Sequence, residues 1–443
     1  MVRRQSPEST GARRKFLQTV LVGTAAAAAA GAVGARTERG SAASAPATTI
    51  VNARLFDGQW VLDADSVIIE NGRIAEIGNN LSRQGTLVDA HGGTLLPGLI
   101  DAHTHPFGTE SLRLAALFGV TTELDMGGDW TAHAREAALA DNQIADFRTT
   151  LVGMSPPGGH PSELFKIPFA TSNTLTADDA RAYVRRDIER GYDYVKVAIE
   201  DGEVMGTKLP VLSKEAIDAA VLAGHGYGKM VIAHAMTKNL TELAVASGVD
   251  GLAHLFLDGH ASDHIVCEIA RSRVFVVPCL VLDWSIAGGN DKDLANDPRV
   301  VAKLPEDIRR NISTSFNTYP AGRFDDFLAS VAALREAGVD VLTGTDSGPA
   351  SPVARAGIPA HGASLHRELQ LFVKAGFSPI EALRAATSVP ARRFDLRDRG
   401  RIMTGLRADL LLVDGDPTRD ISSTLSIKKV WKKGVDIKAA AVA

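Results

Sequence analysis

Leu95-Leu96-Pro97-Gly98-Leu99-Ile100-Asp101-Ala102-His103-Thr104-His105 is an apolar run with a Pro-Gly inside it and two histidines, one residue apart, at its end. On a strand, residues i and i+2 point to the same face. His103 and His105 therefore project side by side from the end of a buried strand. Neutral imidazole is the commonest metal ligand, and such a pair is a ready chelate. Alone, the pair is also compatible with two unrelated histidines near a strand end. What stands at the ends of the other strands decides.

From residue 97 to 400 strand-like runs alternate with helical patterns. Val120–Asp125 precedes a helical stretch from Trp130 to Asp141, and Arg148–Met154 leads into Pro156-Pro157-Gly158-Gly159-His160. Tyr194–Ile199 precedes Ser213–Gly224, Met230–His234 precedes Leu240–Ser247, and Gly251–His254 precedes His264–Ser272. Val274–Pro278 follows, then Val339–Asp346 and a helix around His366–Ala375. With the opening strand these make eight β-α repeats, which predict an α/β fold built on a (β/α)8 TIM barrel. An open doubly wound sheet would want a glycine-rich nucleotide loop after its first strand, and none is found.

The flanks read as short strands. Thr49-Ile50-Val51, Ser66–Ile69 and Arg73–Ile77 are separated by Asp57-Gly58 and Asn71-Gly72, which are hairpin and turn signals. Ala408–Val413 and Ile427–Trp431 match them at the other end. The expectation is one small β-sandwich from residues 46–96 plus 401–443, with the barrel inserted between them. Upstream, residues 1–45 carry Arg13-Arg14-Lys15-Phe16-Leu17 before an Ala-rich apolar stretch. That pattern predicts a twin-arginine export signal, with cleavage after Ala35 or Ala45, and hence a periplasmic or secreted protein. The stretch is short and Ala-rich for a membrane span, so no stable insertion is expected once the signal is removed.

A net charge of −4 gives no basic excess for nucleic acid and no acidic tail for a charge-driven partner. A small-molecule substrate is the expected partner, and a homo-oligomer stays open. Two cysteines, Cys267 and Cys279, make no framework. They read as two buried small hydrophobes, or as one disulfide in an exported protein.

In such a barrel, function sits at the C-terminal ends of the strands. His103 and His105 end strand one, His234 ends strand five, His254 ends strand six and Asp346 ends strand eight. Lys196 lies inside Val195-Lys196-Val197 on strand four, where an ammonium is costly to desolvate. It either pairs with an acid, Glu123 or Asp125, or its amine has taken up carbon dioxide as a carbamate, an anionic ligand able to bridge two ions.

Pro97–His105, Lys196, His234, His254, Gly344-Thr345-Asp346-Ser347 and the C-terminal Gly400-Arg401-Ile402…Gly405–Leu410 together resemble the amidohydrolase superfamily, over everything after the signal. The resemblance implies two divalent ions, zinc first, with manganese or cobalt also suited. His103, His105 and Asp346 would hold the more buried ion, His234 and His254 the outer one, and carboxylated Lys196 would bridge them. It implies hydrolysis of an amide-type bond by hydroxide attack, with Asp346 as ligand and general base. The pattern is closest to members acting on dipeptides with C-terminal proline, on N-acyl amino acids, and on aryl amides or carbamates. Esters, lactones and phosphotriesters suit the same site, and a barrel that has lost catalysis is the reading from another class. Adenosine and cytosine deaminases use one metal and a Glu beside the fifth-strand histidine, which the sequence near His234 lacks.

His160 is expected to reach the site and hold the substrate's oxyanion or carboxylate, and His361 to line the entrance. Tyr319 and Arg323 are further candidate contacts. His91, His133, His225, His260, His264 and His366 are expected to be structural. The segment Asp283–Arg323 has weak periodicity and reads as a long pocket-shaping loop.

Overall fold

The computed structural model describes residues 47–128, 130–150, 152–161, 175–348 and 357–438. The predicted export signal, Pro349, Pro352 and most of the loop before Gly357 lie outside them. Strands run in the order β1 (Thr48–Val51), β2 (Arg54–Leu55), β3 (Ser66–Glu70), β4 (Arg73–Gly78), β5 (Thr86–Asp89) and β6 (Thr94–Pro97). Then come β7 (Leu99–Thr104), β8 (Val120–Asp125), β9 (Asp146–Thr149), β10 (Val195–Ala198), β11 (Val231–His234), β12 (Gly251–Ala253) and β13 (Phe275–Val277). β14 (Leu410–Val413), β15 (Ile427–Lys432) and β16 (Val435–Asp436) close the chain.

β7, β8 and β9 form one parallel sheet, and β10 to β13 form another. Nearly every residue of these strands is buried, as expected of parallel strands covered by crossover helices. Single bridges join the two sheets. Met154 donates to Lys196 O at 2.9 Å and accepts from Ala198 at 2.8 Å. On the other side Val341 bridges Val276, and Ala102 donates to Thr343 O at 2.9 Å. The arrangement is TIM-barrel-like, with one difference from expectation: residues 339–346 are not a regular strand and hold only a bridge at Val341. The reason is local. Thr345 N–H donates to the Asp101 carboxylate at 3.0 Å, and Asp346 N–H donates to His103 O at 2.8 Å with φ 54°. Donors that would build a ladder are spent on a side chain and on one shared carbonyl.

Two further sheets flank this set, ordered β4-β3-β1-β5 and β16-β15-β14-β6-β2. The second mixes both ends of the sequence, with Leu96 of β6 opposite Leu411 of β14 in an antiparallel pair. Ile50, Val67 and Ile74 of the first share an apolar cluster with Leu55, Leu95, Leu410, Leu412 and Trp431 of the second. Asn71 and Gly72 have φ 50° and 76°, the double positive φ that a two-residue hairpin between β3 and β4 requires.

The Asp283–Arg323 segment is no single loop. It lies among helices Leu280–Ile286, Lys292–Asn296, Pro298–Val301 and Glu306–Ile312. Each is two turns or less, too short for a 3.6-residue period to register. Helix Ala177–Glu189, unread in the sequence, begins with a Thr176/Asp179 capping box. The cysteines need correcting. Both are free; Cys267 is exposed, and only Cys279 is buried. Among the described residues no helix is long and apolar enough to cross a membrane.

Candidate metal centre

The C-terminal ends of the strands bring the predicted ligands together. His103 Nε2 and His105 Nε2 lie 3.1 and 3.0 Å from the same Asp346 oxygen, Oδ1. His254 Nε2 is 3.9 Å from Asp346 Oδ2. Ring centroids of His103 and His254 are 4.7 Å apart, and those of His234 and His254 are 4.8 Å apart. Three non-glycine residues at these ends have left-handed backbone: His254 (φ 76°), Cys279 (φ 55°) and Asp346 (φ 54°). Such conformations concentrate at functional sites.

Groups outside the cluster orient the imidazoles. His105 Nδ1 donates to Gly127 O at 3.2 Å, and Cys279 Sγ lies 3.4 Å from His103 Nδ1. Both leave Nε2 facing inward. His234 is reversed, with Nε2 3.0 Å from Glu200 Oε2, so Nδ1 is the free nitrogen. Asp101 holds Thr345 and the His103 backbone, locking strand one to strand eight.

Lys196 is buried, and its Nζ has no hydrogen-bond partner. The pairing with Glu123 or Asp125 is not what forms. Glu123 takes His361 Nδ1 at 2.9 Å, and Asp125 takes Thr149 Oγ1 at 2.6 Å. Burial lowers the Lys196 amine to about 8 against the pull of Asp346. Burial also works to raise the Asp346 carboxyl, yet His103 and His105 hold it well below the usual carboxylate range. Burial, then the Lys196 charge, lowers His103 to about 3. Burial, then neighbouring imidazoles, pushes His234 and His254 well below an ordinary histidine. Burial works to lower His105, yet Asp346 raises it, so the site offers neutral imidazoles at His103, His234 and His254, a more basic one at His105, an ionised carboxylate and an amine that is partly neutral near pH 7.

His254 Nδ1 and Lys196 Nζ are buried without hydrogen-bond partners, and Asp346 Oδ1 has its contacts with the His103 and His105 imidazoles. Unpaired buried polar atoms are costly, and this donor set of nitrogen and oxygen suits divalent cations. The residues therefore fit a metal centre.

His160 reaches the site, its ring stacked on His234 at 4.6 Å. His361 is buried against Glu123 at the foot of the strand-eight loop, because its Nδ1 is tied to that carboxylate. An entrance-lining role does not match that position. His366 is buried between Thr424 and the Phe118 carbonyl, and His225 pairs with Asp250. Glu200 and Cys279 were missed in the sequence. Neither sits in a ligand-like spacing, and each meets its histidine only in three dimensions.

A model of the amidohydrolase family matches residues 94–436. The chain is 25% identical over 382 residues to an adenine deaminase of Lysinibacillus sphaericus (strain C3-41), covering 83% of this chain and 53% of that protein. It therefore spans about half the length of that relative. It is 26% identical over 400 residues to an imidazolonepropionase of Cereibacter sphaeroides (strain ATCC 17029 / ATH 2.4.9), covering 84% and 93%. Among solved structures it shares the fold of a Xaa-Pro dipeptidase with bound methionine, at TM-score 0.69 and 21% identity over 88% of this chain and 99% of the other. It also shares the fold of molinate hydrolase, at TM-score 0.70 and 21% identity, over 88% and 94%. The family match takes in β7 to β13 and the strand ends that carry the histidine cluster, and on it the chain belongs to the amidohydrolase family, a family of hydrolytic enzymes.

Proposed function

We propose that this chain is a binuclear metal-dependent hydrolase that cleaves an amide-type bond in a small molecule: a dipeptide, an N-acyl amino acid, or an aryl amide or carbamate. The observation that carries this reading is the meeting of His103 and His105 on one Asp346 oxygen, each within 3.1 Å of it, beside His254, His234 and an unpartnered buried Lys196. His103, His105 and Asp346 would hold one ion, His234 and His254 the other, and Lys196 would lie between them as a carbamate. Divalent ions bound there, zinc above all, would supply a Lewis acid for the substrate carbonyl and acidify a water for attack.

The protein's own groups do the rest. Asp346, held ionised, accepts the attacking water's proton and returns it to the leaving nitrogen. Lys196, with its amine near 8, keeps a neutral fraction that can add carbon dioxide and lose a proton to give the carbamate. His160, against His234, is within reach of the substrate's carbonyl or carboxylate. Around the site we infer a closed (β/α)8 barrel and a β-sandwich from both chain ends. The twin-arginine pattern at Arg13-Arg14 supports export.

The test is a screen of N-acyl amino acids, dipeptides, aryl amides and esters against protein loaded with zinc and bicarbonate, together with metal analysis. Turnover of an amide class with close to two ions per chain is the expected result. Well under one ion per chain and no hydrolysis would overturn the reading.

A further inference from the structure

We infer that Glu200 is a positioning residue that presents His234 to its ion and tightens that ion site alone; this rests on the metal-centre reading above. Glu200 stands two residues past β10, where Ile199 N–H donates to His234 O at 2.9 Å. That bond laces the chain just before Glu200 to the end of β11. The carboxylate is fixed from two sides. Oε1 accepts Gly202 N–H at 2.7 Å, and Oε2 lies 3.0 Å from His234 Nε2. Glu200 is 1% exposed and His234 is 5% exposed, so water does not compete for the pair.

A carboxylate accepts, so His234 Nε2 carries the hydrogen and the lone pair sits on Nδ1. The ring cannot easily turn. His160 stacks on one face at 4.6 Å, and His254 meets it edge-on at 4.8 Å. A charged acceptor on the far N–H also makes the inward nitrogen more basic. The other histidines are held differently. His103 has a thiol at Nδ1 and His105 a backbone carbonyl, both neutral, and His254 Nδ1 has no hydrogen-bond partner. The charged outer partner therefore belongs to one side of the centre, and its loss should fall on one ion.

The experiment is a stepwise Co2+ titration of chelator-stripped wild type, Glu200→Gln and Glu200→Ala, with bicarbonate present. It is read by d–d absorption and by competition with a chromophoric chelator, with near-ultraviolet circular dichroism as the folding check. Wild type should take up two ions. In both variants one step should weaken by about 10- to 100-fold, the usual effect of losing an outer-shell partner. Glu200→Gln should lose less, because its single carbonyl can still accept from His234. The other step should keep its affinity and its spectrum. Unchanged affinities in both variants overturn the role, and so does equal weakening of both steps, which marks a general structural effect. A wild type that takes up no Co2+ overturns the metal reading itself, and the role with it.

Discussion

At the N-terminal ends of the strands, Arg399 and Arg407 donate to Asp146 at 2.5 and 2.7 Å, and Arg407 also donates to Asp409 at 2.8 Å. At the C-terminal ends, Lys196 Nζ and His254 Nδ1 are buried and have no hydrogen-bond partners, and Asp346 Oδ1 lies between the Nε2 atoms of His103 and His105. Both ends put ionisable groups largely out of water, with different partners. The lower network is held by opposite charge: burial works to raise Asp146, yet Arg399 and Arg407, both on Oδ2, hold its carboxyl below the usual range, while Oδ1 has no hydrogen-bond partner. The upper set leaves an amine and an imidazole nitrogen without partners, and in the proposed function cations stand beside them. Burial alone therefore does not separate a structural cluster from a functional one; which groups of the chain face each other does, guanidiniums on a carboxylate below and imidazoles with an unpaired amine above.

The comparison breaks most readily at Lys196. Lys196→Ala should lose at least one ion and more than about 100-fold in hydrolysis, exceeding the effect of an outer-shell partner. Metal analysis and rate measurement check this, and short carboxylic acids with bicarbonate should restore part of the rate. Unchanged metal content would remove Lys196 from the centre. At the other end, Asp146→Asn should leave two buried arginines short of a counter-charge and cost about 3–5 kcal/mol in denaturant unfolding. Its metal content should stay at the wild-type level. A loss of metal there would show that the two ends are coupled.

Acid sharpens the same contrast. The Asp146 carboxyl is depressed in the folded state, so its stabilisation is present above the unfolded value of about 4 and lost as pH falls through that range. His366 is buried between the Phe118 carbonyl and Thr424, and burial lowers it to about 4. The unfolded chain then binds one more proton at this site between about pH 6.5 and 4. Stability from this site is complete above pH 6.5 and falls as pH drops through that window. Denaturant midpoints of metal-free protein from pH 7 to 4 should decline, and His366→Gln should flatten the slope. The smallest effect belongs to neither end. Removing the exposed Lys214–Asp218 pair by Lys214→Ala should change stability by less than about 0.5 kcal/mol and leave hydrolysis unaltered.

Much of this was legible in one dimension. Strand periods, the Asn71-Gly72 turn and the recurrence of histidine or acid at strand ends rest on local rules of backbone geometry, and they led to the α/β class and to the cluster. Residues 339–346 were harder. Their apolar run reads as a strand, but Asp101 takes the Thr345 donor from 244 positions away. His361 misled for the same reason. Its Pro/Gly-rich neighbourhood suggested a loop at an entrance, whereas Glu123, 238 positions upstream, draws it inside.

The order of residues alone carries the type and succession of the groups: two histidines on one strand, a lysine within an apolar run, two more histidines and an aspartate. Which partner attends each one emerges from the packed fold: Glu200 on His234 across 34 positions, Cys279 near His103 across 176, and Asp101 on Thr345 across 244. Sequence periodicity records how a segment presents its faces to the core. The tautomer of an imidazole depends on which acceptor stands at its far nitrogen, and that acceptor is fixed only when strands distant in the chain come side by side.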